Sequence, residues 1–509
     1  MKRTPPLRRP LRRLLIANRG EIAVRIIRAC HELGITAVAV YSDVDRDALH
    51  VQLADEAYPL GPAAPRESYL CQEKILGVAQ RAHVDAVHPG YGFFAENADF
   101  AAAVETAGCC WVGPAPHVIR TLGAKTAARQ LAQQAHVPIV PGTTTPLRTA
   151  AEAATAAATI GYPVLLKATA GGGGKGMRTV ANTDDLARAF ALAQGEASSA
   201  FGNGDLYVEK LIVAPHHVEV QILADHNGHV VHLGERECSV QRRHQKVIEE
   251  TPSPFLTPAT RAAMTTAAVR LAQVAGYTNA GTVEFLVDAE QHFYFLEVNT
   301  RLQVEHPITE LVTGLDLVQL QLRIAAGDAL PFTQADIVAR GHALECRICA
   351  EDPAHHFAPS PGTIAGLREP AGPGVRWESG VAAGYTIPME YDPLLGKLCT
   401  WAATRDAAIA RMQRALHELQ VHGTTTNTGM LTAILRHPDF RAGQYATDFL
   451  TRYGDALLAA TSVAAPEDVW LAAGIAGALA IASTDDQRPA KSRWRTTARQ
   501  EGVQRGPVV

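Results

Sequence analysis

The chain has 509 residues, 47% hydrophobic and 19% charged; this is too long for one ordinary compact core and has a globular balance, so two to four domains are expected. A formal net charge of −4 provides no chain-wide basic field, which argues against nucleic acid as the main partner. The eight cysteines are scattered, with Cys109 and Cys110 adjacent, so a disulfide framework is not indicated and a cytoplasmic chain with reduced thiols is expected.

Residues 1–12 are basic and broken by proline, and they lack the apolar stretch of a secretory signal, so they read as a disordered extension. LLIAN (14–18) predicts a strand, residues 20–34 a helix ending at a glycine, and TAVAVYS (36–42) a second strand. A helix over 69–81, the strand DAVHPG, a helix in ENADFAAAVETAG and the strand CCWVG continue this Rossmann-like β/α rhythm to residue 113. The turn after the first strand is N-R-G-E, with one glycine, so dinucleotide binding is not indicated.

Different chemistry begins at GYPVLLKATAGGGGKGMRTV (161–180). Val164–Lys167 and Met177–Val180 read as two strands joined by a glycine tip. Lys175 is followed by Gly rather than Ser or Thr and a helix, which excludes a Walker A loop. The bare glycines can bring backbone N–H groups against phosphates, with Lys167 at the base and Lys175 at the tip. YVEKLI (207–212) predicts a strand entering a hinge that suits an adenine edge.

GTVEFLVDAEQHFYFLEVNTRLQVEHP (281–307) is the richest stretch. Two apolar and aromatic runs flank the turn DAEQ, as in an antiparallel hairpin. Glu284 interrupts the first strand; Glu297 and Asn299 interrupt the second and share one face. Two carboxylates and an amide carbonyl suit one or two Mg²⁺ ions that also take triphosphate oxygens. If the chain stays extended, Arg301, Gln303 and Glu305 continue that face, giving an anion clamp and a general base beside a phosphoryl centre. Cys346 and Cys349, in the alternating ALECRICAE, have no second ligand pair at zinc spacing and read as strand residues. The apolar run 470–482 is shorter than the ~20 residues of a membrane span.

IANRGEIAVRIIRA, HPGYGFFAEN, KATAGGGGKGMR, ERECSVQRRHQKVIEE, EVNTRLQVEHPITE, GHALECRICAED and YDPLLGKL together resemble the biotin carboxylase component of acetyl-CoA, propionyl-CoA and pyruvate carboxylases, over roughly residues 13–452. The resemblance implies an α/β (α+β) chain. Its parts would be a PreATP-grasp domain (13–122), an ATP-grasp domain (123–340) with a glycine-rich mobile lid (140–213), and a biotin carboxylase C-terminal domain (341–453). Beyond the resemblance, residues 454–509 are an Ala-rich tail whose composition predicts a helix over 467–482. It implies that Lys125, Lys167, Gly173, Gly174, the hinge Glu209, Lys210, Leu211 and Ile212, and His217 and His244 hold ATP. Glu284, Glu297 and Asn299 would hold Mg²⁺ or Mn²⁺. Lys246, Arg301, Gln303 and the Val304 backbone would bind bicarbonate, with Glu305 as its base. Arg347 would steady the ureido oxygen of biotin. Ala170, Lys175, Phe94 and Ala95 depart from the usual family residues, and none is a proposed catalytic position.

The only Met-Lys pair is Met1-Lys2, so the expected biotin carrier is a separate biotin carboxyl carrier protein. A homodimer and a separate carboxyltransferase subunit are also implied by the resemblance. The first half-reaction of an acyl-CoA carboxylase is the main reading. A two-subunit pyruvate carboxylase and another ATP-grasp ligase remain alternatives.

Overall fold

The computed structural model describes residues 10–143, 145–169 and 176–461. The chain divides into two units, Met1–Leu458 and Ala459–Val509; the helix expected over 467–482 lies outside the described residues, as do Gly173, Gly174 and Lys175 at the lid tip.

The first part is a parallel sheet of β1 (Arg13–Ile16), β2 (Thr36–Ser42), β3 (Glu56–Gly61), β4 (Ala86–His88) and β5 (Cys110–Trp111), in the order β3-β2-β1-β4-β5. The expected strands and helices are present. The strand missing from the sequence reading is β3, EAYPLG, a half-exposed edge strand that contains proline and shows no clean alternation. The strand order reverses between β1 and β4, where parallel sheets open a crevice. Asn18 ties the two strand ends together there by donating to the carbonyls of Pro89 (2.6 Å) and Tyr91 (2.7 Å).

The glycine-tipped hairpin forms as expected. β6 (Val164–Ala168) pairs antiparallel with β7 (Arg178–Val180) and with β8 (Leu206–Lys210). The helices Ala150–Ile160 and Thr183–Phe201 back this sheet, enclosing a core that includes Val164, Leu166, Phe190 and Val208.

The remaining strands are β9 (His216–Ala224), β10 (Val230–Arg242), β11 (Gln245–Thr251), β12 (Asn279–Val287), β13 (Phe293–Asn299), β14 (His342–Cys349), β15 (Glu351–Asp352), β16 (Ala358–Pro359), β17 (Gly366–Arg368), β18 (Val375–Ser379), β19 (Leu394–Ala402) and β20 (Gln420–His422). Eight of them make one antiparallel sheet, β13-β12-β9-β10-β11-β14-β19-β18. β15 pairs with β16, and β17 with β20. The β11–β14 pairing, with Glu249 opposite Glu345, carries the sheet across residue 340, so the central and C-terminal parts share it. Among the described residues no helix is long and apolar enough to cross a membrane.

Candidate active site

The DAEQ turn forms because Asp288 Oδ1 accepts from the amides of Glu290 (3.1 Å) and His292 (2.8 Å). The β12–β13 hairpin that follows puts Glu284 directly opposite Glu297 and Thr282 opposite Asn299, with a bulge before Phe285. Register extends the pattern across the sheet: Glu284 faces Glu219 on β9, which faces Arg236 on β10. A transverse row, Glu297–Glu284–Glu219–Arg236, therefore crosses four strands on one face. Glu219, Glu284 and Arg236 are buried, and unpaired charges there would cost several kcal/mol each. Arg236 Nε meets Glu219 Oε1 at 2.5 Å.

Lys246 supplies the other compensation. Its Nζ lies 2.6 Å from Glu219, 3.0 Å from Glu284 and 2.7 Å from Glu305, so each ammonium proton meets a carboxylate. Burial works against this cation, but its acidic neighbours outweigh burial and hold it well above the usual lysine range. Burial would raise Glu284, and Lys246 and His217 bring it below its ordinary value. Glu305 is likewise pushed up by burial and held far lower by Lys246, Arg347 and Arg236, so it is ionised at neutral pH.

The chain does not stay extended to Glu305 as the sequence suggested. β13 ends at Asn299, residues 304–305 turn, and a helix runs over His306–Thr313 with Pro307 in its first turn. The polar side chains still converge. Arg301 donates to Asn299 Oδ1 (2.9 Å) and Gln303 Oε1 (2.7 Å), and Gln303 Nε2 donates to Glu284 (2.9 Å). Glu305 sits at the N-terminus of the new helix, where the dipole favours an anion. Arg347 donates through Nε to Glu249 (2.7 Å) and through Nη2 to Glu305 (3.0 Å). The Val304 carbonyl accepts from Lys397 at 2.7 Å.

Most of these side chains, Glu305 excepted, line one cleft of about 990 Å³. Lys167, Glu209, Lys210, Leu211 and Ile212 line its lid side, and His217 and His244 another wall. Lys167 Nζ is 2.5 Å from the buried Glu209 carboxylate, which Arg129 also engages. The amides of Lys210 and Leu211 are taken by the carbonyls of Pro141 (2.7 Å) and Pro163 (3.1 Å), so these two donors serve the fold. His217 Nε2 lies 3.0 Å from Glu284. His244 sits at the two-residue tip between β10 and β11, where Arg243 (φ 51°) and His244 (φ 67°) both adopt left-handed backbone. Lys125, first residue of the helix Lys125–Gln134, lies off this cleft in a smaller hollow beside Arg129 and Tyr207. Burial pulls its ammonium down and Glu297 opposes that.

Sequence reasoning missed Glu219, Arg236, Glu249 and Glu96. Glu219 was detectable as a polar residue alternating with His217 and Gln221 in an apolar strand. Glu96 was not, because its partner Arg301 is 205 positions away.

Glu297 opens to the cleft, and no described residue is bonded to its carboxylate. Burial, then Glu284 and Glu96, raise it above its usual value. An acid destabilised by facing acids, with the carbonyl oxygen of Asn299 beside it, fits a hard divalent cation. The ligand atoms of His217, Glu219 and Glu284 also lie within 4.8 Å of one another, but there Lys246 already supplies the positive charge.

Comparison with known proteins agrees with this geometry. Residues 10–119 match the biotin carboxylase N-terminal domain, 124–333 the ATP-binding domain of the carbamoyl-phosphate synthase L chain, and 345–452 the biotin carboxylase C-terminal domain. Biotin carboxylase of Nostoc sp. is 52% identical over 438 residues, covering 86% of this chain and 98% of the relative. A pyruvate carboxylase subunit of Methanothermobacter thermautotrophicus is 52% identical over 441 residues, 87% and 90% of the two chains. Among solved structures, the biotin carboxylase domain dimer of Hydrogenobacter thermophilus 2-oxoglutarate carboxylase, in complex with MgADP, ADP and bicarbonate, aligns with a TM-score of 0.84 at 46% identity, covering 88% of this chain and 98% of that one. A Campylobacter jejuni biotin carboxylase with β-γ-ATP aligns with a TM-score of 0.84 at 45% identity, covering 87% and 99%. The cleft with its row of acids and the match along nearly the whole described chain lead to one conclusion: this chain belongs to the biotin carboxylase family.

Proposed function

We propose that the chain uses ATP and bicarbonate to carboxylate biotin on a separate carrier protein, as the first half-reaction of an acyl-CoA carboxylase. One observation carries the reading: a single cleft joins the Glu284–Glu297–Asn299 oxygen set to a neighbouring cluster of Lys246, Arg301, Gln303, Glu305 and Arg347. A nucleotide-binding module needs only the first group; the second suits a small planar anion next to the γ-phosphate.

Lys125, Lys167, Gly173, Gly174, His217 and His244 hold ATP together with the hinge 209–212, where the adenine edge meets backbone groups other than the Lys210 and Leu211 amides. Glu284, Glu297 and Asn299 would hold Mg²⁺ or Mn²⁺, which supplies charge neutralisation along the triphosphate. Bicarbonate lies against Lys246, Arg301, Gln303 and the Val304 amide. Glu305 takes its proton, and the freed oxygen attacks the γ-phosphorus with ADP leaving. Carboxyphosphate breaks to CO₂ and phosphate, the phosphate takes the ureido proton, and the ureido nitrogen attacks CO₂ while Arg301 and Arg347 steady the developing oxyanion.

The dimeric Hydrogenobacter relative supports a homodimer. A cytoplasmic setting and a partner carboxyltransferase complete the proposal. The Methanothermobacter relative favours a second acceptor, pyruvate; the proteins that co-purify with the chain distinguish the two. The test of the first half-reaction is ADP formation with free biotin, with and without bicarbonate. ADP release that requires both is expected, and release indifferent to both overturns the reading.

A further inference from the structure

We propose that Glu96 is a positioning residue that sets the Arg301 guanidinium for bicarbonate from the N-terminal part of the chain. Its carboxylate grips two consecutive residues: Oε1 accepts from the Thr300 amide (3.2 Å) and Oε2 from Arg301 Nε (3.0 Å). Backbone and side chain are thereby fixed together, and Glu96 occupies only the Nε side of the fork. The two terminal nitrogens stay turned toward Asn299 and Gln303, which line the cleft.

Glu96 is itself held by a rigid support. It lies just before the helix Ala98–Thr106, whose N-cap Asn97 accepts from the Phe100 amide at 2.8 Å. The Asn97 amide bonds the Phe94 carbonyl (3.0 Å), and the Phe94 ring stacks on Phe100 at 4.2 Å between centroids. The Phe94 noted in the sequence as a departure is thus an anchor for the loop that carries Glu96. The Glu96 side chain is 42% exposed against 17% for Arg301, so replacing it opens no buried cavity, and the Tm is followed beside the kinetics to read its effect on function apart from folding.

Because Arg301 holds bicarbonate only if the carboxylase reading is right, the experiment measures the wild type first. ADP release is followed at saturating ATP and free biotin with bicarbonate varied, then with ATP varied, for wild type, Glu96→Gln, Arg301→Lys and the double variant. In Glu96→Gln one of the two acceptor oxygens becomes an NH2 that faces a donor, and the negative charge beside Arg301 is lost. Glu96→Gln is expected to raise the KM for bicarbonate about tenfold, as loss of one charge-assisted hydrogen bond does, with the KM for ATP and the Tm unchanged. In the Arg301→Lys background the same change is expected to add nothing, since Glu96 acts through Arg301. An active wild type with an unaltered bicarbonate KM in Glu96→Gln overturns the proposal. So do additive penalties in the double variant, or a parallel rise in both KM values with a lowered Tm. A wild type that releases ADP without need of biotin and bicarbonate overturns the functional reading itself, and Glu96 with it.

Discussion

Lys246 bonds three buried carboxylates with one ammonium, and that makes it the most consequential single side chain in the site. Replacing it with Met keeps the volume but leaves Glu219, Glu284 and Glu305 facing one another. Removing one partner of a buried ionic group costs about 3–5 kcal/mol, and a loss of that size is expected in denaturant titration of Lys246→Met. The deficit should shrink in mildly acidic buffer, because protonating the stranded carboxylates relieves their repulsion; a loss independent of pH would show that the charge pairing is not its source. Lys246 was legible in the sequence only through family resemblance. Nothing local in QRRHQK distinguishes this lysine from a solvated one, because its three partners come from β9, β12 and the turn before residue 306.

At the scale of the element, the β12–β13 hairpin shows what alternation can and cannot reveal. Glu297 and Asn299 were readable because a strand face repeats every second residue, and the paired register places Glu284 opposite Glu297. The same rule overran its range at Asn299, where the chain leaves the sheet, and the proline at 307 was the unused signal for a helix start. Like charges directly opposite one another destabilise a sheet by roughly 0.2–1 kcal/mol. Glu297→Gln is therefore expected to raise the Tm of the metal-free protein slightly. It should also lose most of the further rise that Mg²⁺ and nucleotide give the wild type, as measured by thermal shift; an undiminished response to Mg²⁺ would remove Glu297 from the metal set. The Arg243–His244 tip supplies another expected outcome. Left-handed backbone costs an ordinary L-residue roughly 1–2 kcal/mol, so Arg243→Asn, which tolerates that conformation, should gain a few tenths of a kcal/mol in denaturant titration.

For the whole molecule, the shared eight-stranded sheet is the dominant fact. Length predicted two to four domains and the family resemblance three parts, yet no local pattern could show that β14 pairs with β11, because partners as far apart as Ile248 and Cys346 leave no periodic trace. Residues 341–461 expressed alone would present β14 with an open edge, and are expected to show no cooperative thermal transition by circular dichroism. The junction is sealed at Glu250, which accepts from Arg405 at 2.7 and 2.8 Å and from His342 at 2.5 Å, with Tyr445 as a further donor. Burial would raise this carboxyl, but the bonds from His342 and Arg405 prevail and hold it at about 2. Between that value and the ordinary glutamate value of about 4.3, the unfolded chain binds a proton that the native chain does not. Its contribution is complete above roughly pH 5 and is lost as the pH falls toward 2. Denaturant midpoints measured across this range should fall less steeply for Glu250→Gln than for the wild type.

The transverse row Glu297–Glu284–Glu219–Arg236 also dictates where the gene can change length. Each member reaches the row only because its strand is in one register, and a slip of one position turns every side chain of that strand to the opposite face. A single codon inserted within β9, β10, β12 or β13 would remove one ion from the series. Several codons added at the Asp225–His229 connection between β9 and β10 would leave the series intact. Added length is thus expected to be tolerated at the turns, while charge as much as packing holds the four strands to fixed counts.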